Sequence, residues 1–164
     1  MKRLAILAIC AVVGTALVAG SVSANLTGPS SVVHMKIHWD GSTKYTAEMA
    51  YALDKWNSLG KVQILPDTLL DIEEVHVSDV YKPDAYYLGL YTWHRYGVDT
   101  IQFNTALIDE LGEQYRKSVV MHEWGHALGL GEESEPYNVM VPYPSQQTDL
   151  GLYDRVHYFT LYPH

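Results

Sequence analysis

Cysteine is almost missing from this chain: among 164 residues only Cys10 is one. That scarcity excludes a disulfide scaffold and a thiolate metal cage, so any metal site has to be built from His, Asp and Glu. Basic residues are also few. Eleven Lys and Arg face nineteen Asp and Glu, giving a formal charge of −8, which speaks against nucleic acid and anionic membrane surfaces as partners. No internal repeat or low-complexity tract breaks the chain. Thirteen tyrosines and four tryptophans instead supply the apolar area of a folded domain and argue against disorder.

The one long apolar run stands at the start, in MKRLAILAICAVVGTALVAGSVSA. Lys2 and Arg3 head it, and small residues ending in Val22-Ser23-Ala24 close it. That is the build of a secretory signal peptide cleaved after Ala24. A membrane anchor is the alternative, because the run approaches spanning length, but no basic stop-transfer flank follows it. Bulky Ile9 before Cys10 also argues against a lipid-modified cysteine. The expectation is a signal peptide over 1–24 and one domain over 25–164, secreted, extracellular and monomeric, with no stable membrane association. Removing Lys2 and Arg3 leaves nine basic against nineteen acidic residues, a formal charge of −10.

Within the domain the periodicity changes several times. VVHMKIHWD (32–40) alternates as a half-buried strand does, and YTAEMAYALDKWN carries Tyr45, Met49, Ala52, Leu53 and Trp56 at helical spacing before Gly60. Short strands follow at 61–66, 72–80, 85–95 and 99–105. From about Gly112 to Leu130 the pattern is helical, the segment to Pro144 is irregular, and a last helix runs from about Gln147 to Phe159. In that last helix Leu150, Tyr153, Val156 and His157 share a side. The order predicts an α+β domain, with one twisted five-stranded sheet and two long helices packed on it.

The chemistry concentrates in HEWGH, residues 122–126. On a helix, residues four apart lie one above the other, so His122 and His126 present two imidazole nitrogens to one ion. Glu123 flanks the same point without having to bind it. This spacing suits Zn2+ with an open position for water and a carboxylate that takes the water's proton, a metal-assisted peptide hydrolysis.

HEWGHALGLGEE followed by NVMVPYP resembles the metzincin zinc peptidases, and among them the matrixins, whose motif is H-E-x-x-H-x-x-G-x-x-H with a later methionine turn. His122, Glu123, His126 and Gly129 stand in place, and Met140 stands at the turn with Pro142 two residues on. YTAEMAYALDKWN resembles the first helix of the family, TIQFNT the strand before the active-site helix, and QTDLGLYDRV the closing helix, with its aspartate at Asp149. The resemblance implies a mostly parallel sheet with one antiparallel edge strand, a C-terminal helix and a protein or peptide substrate. It further implies that the chain turns at Gly129, that Met140 packs beneath the metal ligands, and that Tyr143 lines the pocket beside the scissile bond. The strand at 85–95 would be the edge along which an extended peptide adds.

The departure is at position 132, where glutamate replaces the third histidine of the motif. A carboxylate is a competent zinc ligand and His₂Glu is a working catalytic set, so Glu132 is the expected third ligand. The alternatives are that Glu132 faces solvent, or that a one-residue shift presents Glu133. His157 is a further donor, more in keeping with packing, and His34, His38, His76, His94 and His164 show no metal spacing. The dense His/Asp/Gly run that builds the extra structural zinc and calcium sites of matrixins is missing, so none is expected. The resulting expectation is a secreted zinc endopeptidase; its rival is a non-catalytic peptide-binding module on the same fold.

Overall fold

In the computed structural model the described residues are 29–68 and 72–163. The leader over 1–24 and His164 lie outside them. Among the described residues no helix is long and apolar enough to cross a membrane.

Five strands, β1 (Lys36–Gly41), β2 (Gln63–Pro66), β3 (Val75–Val80), β4 (Gly89–Thr92) and β5 (Asp99–Asn104), form one sheet in the order β2-β1-β3-β5-β4. Every pairing is parallel except β4 with β5, which is antiparallel and leaves β4 at an edge. Two long helices, α1 (Thr46–Asn57) and α3 (Glu113–Ala127), pack together on the sheet, with a one-turn helix α2 (Thr105–Ile108) between β5 and α3 and a closing helix α4 (Leu152–Leu161). This is the α+β, mostly parallel arrangement with an antiparallel edge that the pattern and the resemblance implied.

The core lies between one sheet face and the helices. Alternate residues Ile37 of β1, Val75 and Val77 of β3, and Ile101 and Phe103 of β5 are fully buried, as the two-residue side-chain period of a strand requires. From α1, Met49, Ala52 and Trp56 meet them at helical spacing. Trp124 of α3 sits edge-on to Trp39, and the Trp56 indole N–H donates to the Met121 carbonyl at 2.9 Å. Arg116 adds an ion pair to buried Glu48 at 2.7 Å, fixing α3 against α1. These contacts hold α3, with HEWGH on it, in one rotational setting.

Several expected boundaries shift for local reasons. The first strand starts at Lys36 rather than residue 32, because His34 and Met35 both take positive φ in a tight turn that bridges Val33 to Lys36. The fourth strand is only Gly89–Thr92. The last helix begins at Leu152, not Gln147. Asp149 therefore precedes it, exposed at the surface and paired with Lys55, and the buried carboxylate of the closing helix is Asp154. Tyr153 and Val156 of that helix are exposed, whereas His157 and Tyr158 are buried.

Candidate metal centre and catalytic cleft

α3 stops just after the second histidine because Gly129 takes φ +86°, a left-handed conformation that suits glycine. Its N–H donates to the His126 carbonyl at 2.8 Å and the Leu130 N–H to the Gly125 carbonyl at 3.0 Å. These are the two bonds of a Schellman motif. The chain leaves the helix there and returns beneath it, carrying Glu132 back towards the histidines.

Both imidazoles are buried and oriented from behind. His122 Nδ1 lies 3.0 Å from the Val139 carbonyl and His126 Nδ1 lies 2.9 Å from the Leu130 carbonyl. A carbonyl can only accept, so each Nδ1 carries the proton and each Nε2 faces forward with its lone pair. The two rings stand edge to face, 4.6 Å between centroids.

Glu132 Oε1 completes the group, 3.5 Å from His122 Nε2 and 3.4 Å from His126 Nε2. These separations are long for hydrogen bonds. They match the edge of about 3.4 Å in a tetrahedron of ligands around zinc. His122 Nε2 and both Glu132 oxygens are buried and accept or donate no hydrogen bond among the described residues. Buried polar atoms left this way are costly unless something else binds them, and the donor set of two imidazoles and a carboxylate suits zinc. The residues present fit the ion.

The charges in the group are coupled. Burial alone would lower the His122 pKa, but the carboxylates of Glu132 and Glu123 and the Val139 carbonyl outweigh it and raise the group to about 9. For Glu132 burial works upward, and the two imidazoles overcome it to hold the carboxyl at about 2. At neutral pH the His122 Nε2 is thus a place for which a proton and a metal compete.

Glu133, the other carboxylate of the turn, is directed elsewhere. Its Oε1 accepts the N–H groups of Ser134 at 2.7 Å and Glu135 at 3.0 Å, and Oε2 lies 3.7 Å from His157 Nδ1. Glu133 and His157 organise the loop beside the imidazole pair, and the carboxylate at the histidines is that of Glu132.

Glu123 is buried on the side of α3 that faces the edge strand. Its Oε2 accepts the Tyr91 N–H of β4 at 2.8 Å. Gly89 makes the approach possible, since a Cβ there would come within 2.5 Å of the Glu123 carboxylate. Met140 lies beneath α3, almost fully buried, and Gly125 is the residue that admits it, because a Cβ at 125 would sit 2.2 Å from the Met140 sulfur. The helix accepts the roughly 1 kcal/mol penalty of an interior glycine between the two histidines to bring that sulfur close.

The methionine turn is in turn gripped by α4. Asp154 accepts the N–H groups of Val139 at 2.7 Å, Met140 at 3.2 Å and Gly151 at 2.7 Å. Asn138 answers by accepting the N–H groups of Tyr153 and Asp154 at 2.9 and 3.3 Å, capping a helix whose own N-cap, Gly151, has no side chain. The Val139 backbone thus connects Asp154, through its N–H, to His122, through its carbonyl. Asp154→Ala is expected to destabilise the protein by roughly 3 kcal/mol, since several donors lose a buried charged acceptor. That corresponds to a thermal midpoint lower by about 6–12 °C; an unchanged midpoint in a calorimetric scan would show that the clamp is idle.

Beside Glu123 a narrow cavity of about 20 Å³ opens, lined by Leu88, Val119, His122, Val141 and Tyr143. Tyr143 is half exposed at its mouth, and Ser118 and Ser145 bond to each other at 3.0 Å nearby.

Sequence reasoning missed Gly89, Gly125 and Asp154. The only signal for Gly125 was a glycine inside a helix; for the others there was none, because their partners are distant in sequence. The model of the matrixin family of peptidases matches residues 19–162. No curated protein sequence matches this chain.

Proposed function

Because this chain belongs to the matrixin family, we propose that it is a secreted zinc-dependent endopeptidase with His122, His126 and Glu132 as metal ligands and Glu123 as general base. The observation that carries this reading is the convergence of two outward-facing imidazole Nε2 atoms and the Glu132 carboxylate, separated from each histidine by 3.4–3.5 Å. Zinc held there supplies Lewis acidity, which polarises a peptide carbonyl and brings the pKa of a bound water to about 7.

The rest is the work of the protein. An extended peptide adds along the outer edge of β4, where among the described residues no strand other than β5 pairs with it and Glu123 holds the Tyr91 N–H; the backbone groups that remain hold the peptide in line. Glu123, anchored by the Tyr91 N–H of the same strand, takes the proton of the attacking water and returns it to the leaving amine. A base fixed to the strand that aligns the substrate keeps proton acceptor and scissile bond in register. The basic-headed apolar leader at 1–24 supports secretion, and the acidic surface supports a peptide substrate over a nucleic acid.

One residue favours a second reading. A carboxylate at position 132 adds negative charge to the ion and makes it less electrophilic, so a zinc-loaded module that holds peptides without cutting them is the competitor. Zinc-loaded protein is expected to cleave casein and to stop when a chelator removes the metal. Intact casein beside stoichiometric zinc would leave the binding module instead.

The cavity beside Glu123 sets a preference. At about 20 Å³ it has room for roughly one water molecule, so it admits a small side chain. We expect cleavage of a mixed peptide library before Ala, Ser or Gly rather than before Leu or Phe. Tyr143→Ala opens the mouth and should admit the larger residues. A wild-type enzyme that favours large residues would mean that this cavity does not seat the substrate.

A further inference from the structure

β4 is a four-residue edge strand, and the carboxylate of Glu123 is tied to it, Oε2 accepting the Tyr91 N–H at 2.8 Å. Whatever fixes Tyr91 therefore also fixes that carboxylate. The far end of the same residue is held by a buried polar group that the peptidase reading does not use. Tyr91 is 1 % exposed, and its hydroxyl donates to Asp99 Oδ2 at 3.0 Å. The Ser31 hydroxyl donates to the same oxygen at 2.7 Å and lies 3.0 Å from the Tyr91 oxygen. Asp99 Oδ1 accepts the His94 N–H at 2.7 Å, closing the loop between β4 and β5. Burial and the Asp99 carboxylate outweigh Ser31 and hold the Tyr91 phenol above its ordinary pKa, so it stays a donor.

Ser31 carries the connection back to the active-site helix. Its N–H donates at 2.8 Å to the carbonyl of Ala127, the last residue of α3. A closed ring results. It runs from Glu123 in α3 to the Tyr91 backbone, through the Tyr91 ring to Asp99 and Ser31, and back to α3 at Ala127. Packing alone does not call for it. Asp99 is 5 % exposed, and its partners here are two hydroxyls and an amide, none of them a cation. Burying a carboxylate in that way is costly, and apolar side chains would fill the space at least as stably. A satisfied buried polar group instead fixes one arrangement of the segments around it.

We propose that Tyr91, Asp99 and Ser31 are positioning residues for Glu123: the two hydroxyls and the Asp99 carboxylate set the Tyr91 amide, and the amide sets the general base. The catalytic consequence rests on the peptidase reading; the geometry rests on the hydrogen bonds themselves.

Two measurements on zinc-loaded protein, made well below the thermal midpoint of each variant, test this brace. The first is amide exchange followed by NMR. Tyr91→Phe and Ser31→Val delete the hydroxyls and should speed exchange at residue 91 by roughly 10-fold, while the amides of β3 keep their protection. Ser31→Thr, which has the shape of valine with the hydroxyl restored, should exchange as wild type does. The second is peptide cleavage. Tyr91→Phe should lower kcat by roughly 10-fold with KM little changed, since misplacing a reacting group by about 1 Å costs up to about 10²-fold. Added to Glu123→Gln it should lower kcat no further, because the group it positions has already lost its function. Unchanged exchange at residue 91 in Tyr91→Phe, or exchange that speeds equally in β3, overturns the brace. Faster exchange with unchanged kcat, or a full further loss in the Glu123→Gln background, overturns the positioning role. If exchange at residue 91 responds as expected while wild type cuts no peptide, the brace stands and the peptidase reading falls.

Discussion

Glu123→Gln is expected to lower kcat by roughly 10²–10⁴-fold, the usual contribution of a general base, while the protein still binds zinc. Glutamine keeps the oxygen that accepts the Tyr91 N–H, so the strand and the helix stay in contact and the fold is preserved. It loses only the capacity to take a proton. KM should change little, because the proposed reading places the substrate along the edge of β4 and gives the carboxylate no part in binding it. Peptide cleavage kinetics and metal analysis on the same preparations decide the matter: equal turnover by both proteins would remove Glu123 from the mechanism. Loss of zinc together with activity would instead mean that the carboxylate acts as a ligand.

The second large effect is expected at Glu132. Glu132→Ala removes the third donor and leaves two imidazoles, so the catalytic ion should be lost on dialysis and cleavage with it. Glu132→His restores the donor that the matrixin motif places there. It should retain the ion and raise kcat, since a neutral ligand leaves the metal more electrophilic and the bound water more acidic. Metal release measured with a chromogenic chelator separates the variants. Retention of the catalytic ion by Glu132→Ala would exclude the carboxylate from the ligand set.

A pH series on wild type bears on the same group. Zinc must displace the proton that His122 holds up to about pH 9. Apparent affinity should therefore fall by about tenfold for each unit that pH drops below that value, as expected when one proton is exchanged for one metal. A flat profile across neutral pH would mean that His122 binds no proton in competition with the ion.

The order of elements, the helical setting of His122, Glu123 and His126, and the glycine that ends the helix were all legible in the sequence. Each is a local property: hydrophobic period, i to i+4 spacing and the steric freedom of Gly129 act within a few residues, and the sequence states them directly. The choice between Glu132 and Glu133 was not. Both are carboxylates one residue apart, and the difference lies in where the post-helix turn leaves each side chain. Glu133 finds the Ser134 and Glu135 N–H groups and Glu132 finds the histidines.

The aspartate of the closing helix shows the same division. Sequence resemblance pointed to Asp149, but the helix begins three residues later, and the buried carboxylate that holds the methionine turn is Asp154. The meeting of Ser31 with Tyr91 and Asp99 joins segments that are far apart in the chain. Short-range periodicity and spacing specify the fold class and the pair of histidines with their glutamate, so both can be read from the chain before it folds. Which carboxylate meets those histidines, which strand anchors Glu123 and which acid secures the turn emerge from the packed fold. Those contacts depend on how separate segments pack against one another, and no local pattern encodes that packing.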